Sequence, residues 1–165
     1  MAFTTVTDAQ LGDAEFELDC LDKLQELFEL HASVLKGLAG SVQRAAIFRS
    51  GQKLPPSFPA LRLEFQSSDE RHIEMGGATT GKRLIRVRCM VTVLDRIGND
   101  AVRVARSHAK LAGRVRGILS RNRTLDGLSE DLIVSPAELG FFDSPGGPLI
   151  GAQVRVDVEL RVSQL

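Results

Sequence analysis

Val154-Arg155-Val156-Asp157-Val158-Glu159-Leu160-Arg161-Val162 alternates apolar and charged side chains at every step. Successive side chains of an extended chain point to opposite faces, so this segment has one dry face and one wet face. A second run does the same: Ile85, Val87, Cys89, Val91 and Val93 alternate with Arg86, Arg88, Met90 and Thr92. One-sided burial is the pattern of antiparallel strands, because a strand covered on both faces reads as a continuous apolar run. Leu61-Arg62-Leu63-Glu64-Phe65 predicts a third strand by the same alternation, and Val42–Phe48 and Leu132–Ser135 predict two short ones.

Two stretches have the helical period instead. Leu21, Leu24, Phe28, His31, Leu35 and Leu38 recur at steps of three and four and predict a helix over Leu21–Leu38. Asp19 or Asp22 suits its start, and Gly37 and Gly40 suit its end. Ala101, Val104, Ala105, His108, Leu111, Ala112, Val115, Ile118 and Leu119 form the apolar side of a second helix, about Asp100 to Ser120. Residues 1–18 read as an arm or as an extension of the first helix. The segment Gly51–Pro59, with Pro55, Pro56 and Pro59, breaks any sheet interior. Residues 66–81, polar and carrying three glycines, read as a mobile loop or hairpin tip. Helix, strands, helix, strands is the order of a single α+β domain. The expected architecture is a two-layer sandwich, a mainly antiparallel sheet with two principal helices packed on one face.

The chain has 165 residues, 43% of them apolar, which suffices for one ordinary core. Its net charge of +0 hides a split. Residues 1–30 hold eight acids against one base, Lys23, whereas residues 82–123 hold twelve bases against Asp95 and Asp100. Such a division suits contact between copies of the chain, or a basic surface aimed at an anionic partner. Tryptophan and tyrosine are absent, which disfavours a stacking platform for single-stranded nucleic acid.

Little in the chain points to catalysis. Gly76-Gly77-Ala78-Thr79-Thr80-Gly81-Lys82 satisfies part of a phosphate-binding loop, but Arg83 stands where Ser or Thr is needed and a strand pattern follows. His31, His72 and His108 are scattered without ligand spacing, and Cys20 and Cys89 form no metal or redox motif. No enzyme activity, cofactor or metal is expected. No basic and apolar leader opens the sequence, and no run approaches the length of a membrane span.

The basic helix face is the sharper feature. Arg103, Arg106, Lys110 and Arg114 fall on one stripe at steps of three, four and four, and Arg86 and Arg88 on the preceding strand extend it if the geometry allows. Three roles are open to it: a solvated face, a contact with the acidic Asp19, Asp22, Glu26 and Glu29 of a neighbouring copy, or attraction to nucleic-acid phosphates.

The order of elements resembles the tail terminator (tail completion) proteins of long-tailed bacteriophages. The resemblance runs over residues 20–163: an N-terminal helix, the strand Leu61–Phe65 with its glycine-rich loop, the strand Leu84–Leu94 ending in Asp95, the helix Asp100–Ser120, a Pro/Gly-rich stretch and a final alternating strand. It implies a non-enzymatic virion protein that forms a hexameric ring on the tail tube, stops its polymerisation and meets a head-completion or neck protein. It further implies that DNA passes only in transit through the channel, that no membrane is involved, and that the place of such a protein is the virion tail, assembled in the host cytoplasm. The resemblance gives the loop with Glu74, Gly76, Gly77, Thr79, Thr80 and Lys82 a role in ring or tube contact. Another head–tail connector or minor tail protein, or a small nucleic-acid-binding module, is the alternative.

Overall fold

The computed structural model describes residues 4–9, 15–38, 40–72, 83–96 and 98–162. Among these residues six strands make one sheet: β1 (Ile47–Arg49), β2 (Ala60–His72), β3 (Arg83–Arg96), β4 (Asp131–Val134), β5 (Glu138–Phe142) and β6 (Leu149–Val162). Their order is β1-β2-β3-β6-β4, with β5 also paired to β6. The long strands β2, β3 and β6 pair antiparallel, and the three-residue β1 adds to β2 in parallel. β4 and β5 share the far side of β6, β4 against Val156–Glu159 and β5 against Leu149–Gln153. Two helices, α1 (Phe16–Leu30) and α2 (Ala101–Arg121), cover one face of this sheet. The α+β sandwich expected from alternation and period is the fold.

The strand parity explains the layering. Ile85, Val87, Cys89, Val91 and Val93 of β3 and Val154, Val156, Val158 and Leu160 of β6 are buried in one cluster with Leu24 and Phe28 of α1 and Leu111, Val115 and Leu119 of α2. Burying each such side chain contributes roughly 1.5–3 kcal/mol, which is what clamps the helices to the sheet. The alternate residues face the other way. There Arg86 lies opposite Glu159 and Arg88 opposite Asp157, each joined by an ion pair, at 2.7 and 3.1 Å. Near one end of this outer face Phe142 covers Gly151, where a Cβ would come within 2.5 Å of its ring, and Arg62 lies 5.6 Å from the ring centroid.

Three elements depart from the sequence expectation. α1 begins at Phe16 and stops at Leu30, not at Leu38. His31 closes it, its ring Nδ1 lying 2.8 Å from the Leu27 carbonyl, and Ala32–Val34 tighten into a 3₁₀ turn. Leu35 is still fully buried, but it enters the core from a loop. Glu15, rather than Asp19 or Asp22, stands at the cap position and makes no side-chain cap bond. The segment before β1 is also shorter in extended form than Val42–Phe48 suggests, because Arg44–Ala46 form a second 3₁₀ turn.

The third departure is β2. Residues 66–72, expected in a loop, continue the strand to His72 in register with β3. A bulge between Phe65 and Ser67 shifts the pairing, and beyond it residues 66–70 are exposed. Backbone ladder bonds hold this arm, so no apolar alternation marks it. α2 follows its expected bounds closely, since Asp100 caps it by accepting from the Arg103 amide at 3.0 Å.

Candidate functional site

α2 carries Arg103, Arg106, Lys110, Arg114, Arg116 and Arg121 and not one acid. All six are exposed. Arg114 donates to the Val34 carbonyl at 2.8 Å, and Arg121 to the Gly117 carbonyl at 3.3 Å. Among the described residues the side chains of Arg103, Arg106, Lys110 and Arg116 make no hydrogen bond or ion pair. The opposite flank of the helix is buried through His108, Leu111, Val115 and Leu119, so Arg106 and Lys110 point away from the sheet. Gly113 lies on that outer side too, with nothing within 4 Å of where its Cβ would be.

Arg86 and Arg88 do not join this stripe. They sit on the sheet face that α2 does not cover, and each is held by an acid of β6. Three arginines elsewhere in the molecule are paired with an acid in the same way. Arg83 pairs with Glu70 at 3.0 Å, Arg161 with Glu130 at 3.1 Å, and Arg123 holds Asp131 through two bonds of 2.6 and 2.8 Å. Those bonds keep the Asp131 carboxyl below its usual range.

The acidic helix is also locally engaged. Asp22 pairs with Arg49 of β1, Glu26 with Lys23 at 3.4 Å, and Glu29 accepts from Gln25 at 3.0 Å. Glu17 accepts from the Ser68 hydroxyl at 2.9 Å. Asp19 alone of the four expected contact acids has no side-chain partner among the described residues, and it is half-buried in the first turn. The acidic stripe is therefore compensated in part from within the chain, through Arg49 and Lys23, whereas no cation of α2 is paired with an acid among the described residues.

A groove of about 420 Å³ runs between α1 and the turn after α2, lined by Lys23, Leu27, Leu30, Arg121, Leu125 and Asp126. Its polar groups bind one another, Lys23 reaching Asp126 at 3.4 Å. Leu125 and Asp126 adopt positive φ values of 44° and 57°, which sinks Leu125 into the core and turns Asp126 outward. Cys20 and Cys89 are buried free thiols whose pKa values burial pushes up to about 12, so neither is a ready nucleophile. Among the described residues no group of His, Cys, Asp and Glu is placed to hold a metal ion, and no helix is long and apolar enough to cross a membrane. The loop residues Glu74, Gly76, Gly77, Thr79, Thr80 and Lys82 lie outside the described residues. Arg83, immediately after them, opens β3 and not a helix.

One exposed feature had no counterpart in the sequence reading. Leu139 and Phe141 of β5 are 63% and 77% exposed, on a strand that forms one margin of the sheet. Their alternation within Glu138-Leu139-Gly140-Phe141-Phe142 was the available signal, hidden in a stretch bounded by Pro136 and Pro145. Neither protein-family models nor curated protein sequences yield a match to the chain.

Proposed function

We propose that this chain is a non-enzymatic assembly subunit, a tail terminator whose copies close into a hexameric ring on a bacteriophage tail tube, stop its growth and join it to the head or neck. The observation that carries the reading is the unlike character of the two sheet margins. On one side β1 covers only Leu61–Leu63, so the outer edge of β2 from Glu64 onward meets no strand among the described residues, and its side chains are mostly polar. On the other side β5 presents Leu139 and Phe141. An open strand edge offers unpaired amides and carbonyls to another chain, and an exposed apolar pair is where a contact gains affinity. Two different patches on opposite sides of one subunit favour head-to-tail contact, which closes into a ring when the rotation permits.

Native mass measurement with negative-stain imaging tests this, on the chain alone and with polymerising tube subunits. Closed hexameric rings, in solution or on tube ends, together with shorter tubes, are expected. A chain that stays monomeric and leaves tube length unchanged contradicts the reading. A closed ring with no effect on tube length reassigns it to another head–tail connector.

A further inference from the structure

We propose that the outer face of α2, centred on Arg106 and Lys110, is a docking surface for the phosphate backbone of double-stranded DNA. The surface is a row of cations that the fold leaves uncompensated. Arg103, Arg106, Lys110 and Arg116 have no partner among the described residues, whereas Arg86 and Arg88 of β3 and Arg161 of β6 each hold an acid. Clustered charges of one sign repel, so a row kept free of acids over a whole helix is matched by negative charge from outside the chain.

A neighbouring copy is the poorer source of that charge. Of the α1 acids that would supply it, Asp22 is held by Arg49 and Glu26 by Lys23, which leaves only Asp19 and Glu29 without a cation among the described residues. A regular polyanion fits better. From Arg103 to Arg121 the helix spans about 27 Å, close to the length of eight base pairs at about 3.4 Å each. Gly113 leaves open space between the long cationic side chains, so a broad surface can approach. The duplex form follows from the aromatic inventory: the chain has no Trp or Tyr, and the exposed Phe65 and Phe141 lie on strands. With no phenylalanine ring beside the cations among the described residues to stack unpaired bases, the contact is to backbone and independent of base sequence. The inference does not depend on ring closure.

The test is binding of the full chain to a fluorescent mixed-sequence duplex, read by anisotropy across salt concentrations. Duplex binding weaker than about 1 µM is expected, with a slope of log K against log salt of about −3 to −5 from a few neutralised phosphates. The double variant R106E/K110E should bind at least about tenfold more weakly with a shallower slope. Changing R155E, an exposed arginine on the opposite sheet face, should leave affinity within about twofold, because screening confines charge effects to roughly 10 Å. R106Q/K110Q, which removes charge without adding acid, should fall between wild type and the reversal. Equal losses in R155E and R106E/K110E overturn the proposal in favour of a general charge effect. Undiminished duplex binding by R106E/K110E overturns it, and so does a change of oligomeric state in that variant without a change in duplex affinity, which assigns the face to a protein neighbour. Native mass measured on the same samples separates the two proposals. A ring without duplex binding removes only the DNA surface, and a duplex-binding monomer removes only the ring.

Discussion

His108 lies fully buried on the inner face of α2, and neither ring nitrogen has a hydrogen-bond partner among the described residues. Burial lowers its pKa below the usual histidine value, and the carboxylate of Asp95 on β3 opposes that only in part. A group depressed in this way binds its proton more readily when the chain is unfolded. Its stabilising effect is therefore present above the unfolded value, about 6.5, and is lost as pH falls through and below it. Urea melts at about pH 7 and about pH 5 should show that loss, and H108L should shrink it. A pH dependence unchanged by H108L rules out His108 as the source. A second residue-scale case is Gly37, where a Cβ would come within 2.2 Å of the Ser107 hydroxyl oxygen. That oxygen accepts the Leu38 amide at 3.0 Å, tying the loop after α1 to α2. G37A must displace it, and a loss of about 1–3 kcal/mol is expected from overpacking together with the broken bond. A thermal melt of G37A checks this, and one matching wild type would show that the loop yields freely.

At the scale of elements, the charged side of the β3–β6 ladder works by direct opposition. Arg86 faces Glu159 and Arg88 faces Asp157 across one register. The Asp157 side chain is only 10% exposed, against 19% for Glu159, so the two pairs are not equivalent. R88A leaves a nearly buried carboxylate without its cation and should cost about 1–3 kcal/mol, whereas the longer Glu159 can turn to water and R86A should cost less. Chemical denaturation of both variants gives the ranking, and equal losses contradict it. These strands and α2 were legible in the sequence because each has one face in the core, and a buried face imposes its period on the residue types. Where burial does not alternate, the pattern is silent or misleads. Residues 66–70 are exposed on both faces and held by backbone bonds, so they resemble a loop. Leu35 stays in helical phase after the helix has ended. The cation stripe of α2 was legible for the same periodic reason. Its separation from Arg86 and Arg88, and the capture of Asp22 by Arg49, depend on which elements the fold brings together, and local spacing does not encode that.

At the scale of the whole molecule the two sheet margins and the outer helix face are built from different residues, so their roles are separable by substitution. The formal balance of 21 bases and 21 acids means that the unpaired cations of α2 are offset by acids elsewhere in the chain, while pairs such as Arg86–Glu159, Arg88–Asp157 and Arg123–Asp131 cancel locally. A contact through the β5 margin then rests on apolar area rather than on charge. Phe141 is the test residue. At 77% exposure it adds little to the stability of a single copy, so F141E should leave the melting temperature nearly unchanged, a difference within about 0.5 kcal/mol. A carboxylate placed in the contact must be desolvated there without a partner, which costs several kcal/mol and is enough to prevent closure. The variant should therefore fold normally, fail to form rings in light scattering and native mass spectra, and leave tube length uncontrolled. L139E should behave alike, since Leu139 is 63% exposed two residues along the same strand face. If both variants assemble and cap as the wild type does, the β5 margin faces solvent in the assembly and ring closure must run through another surface.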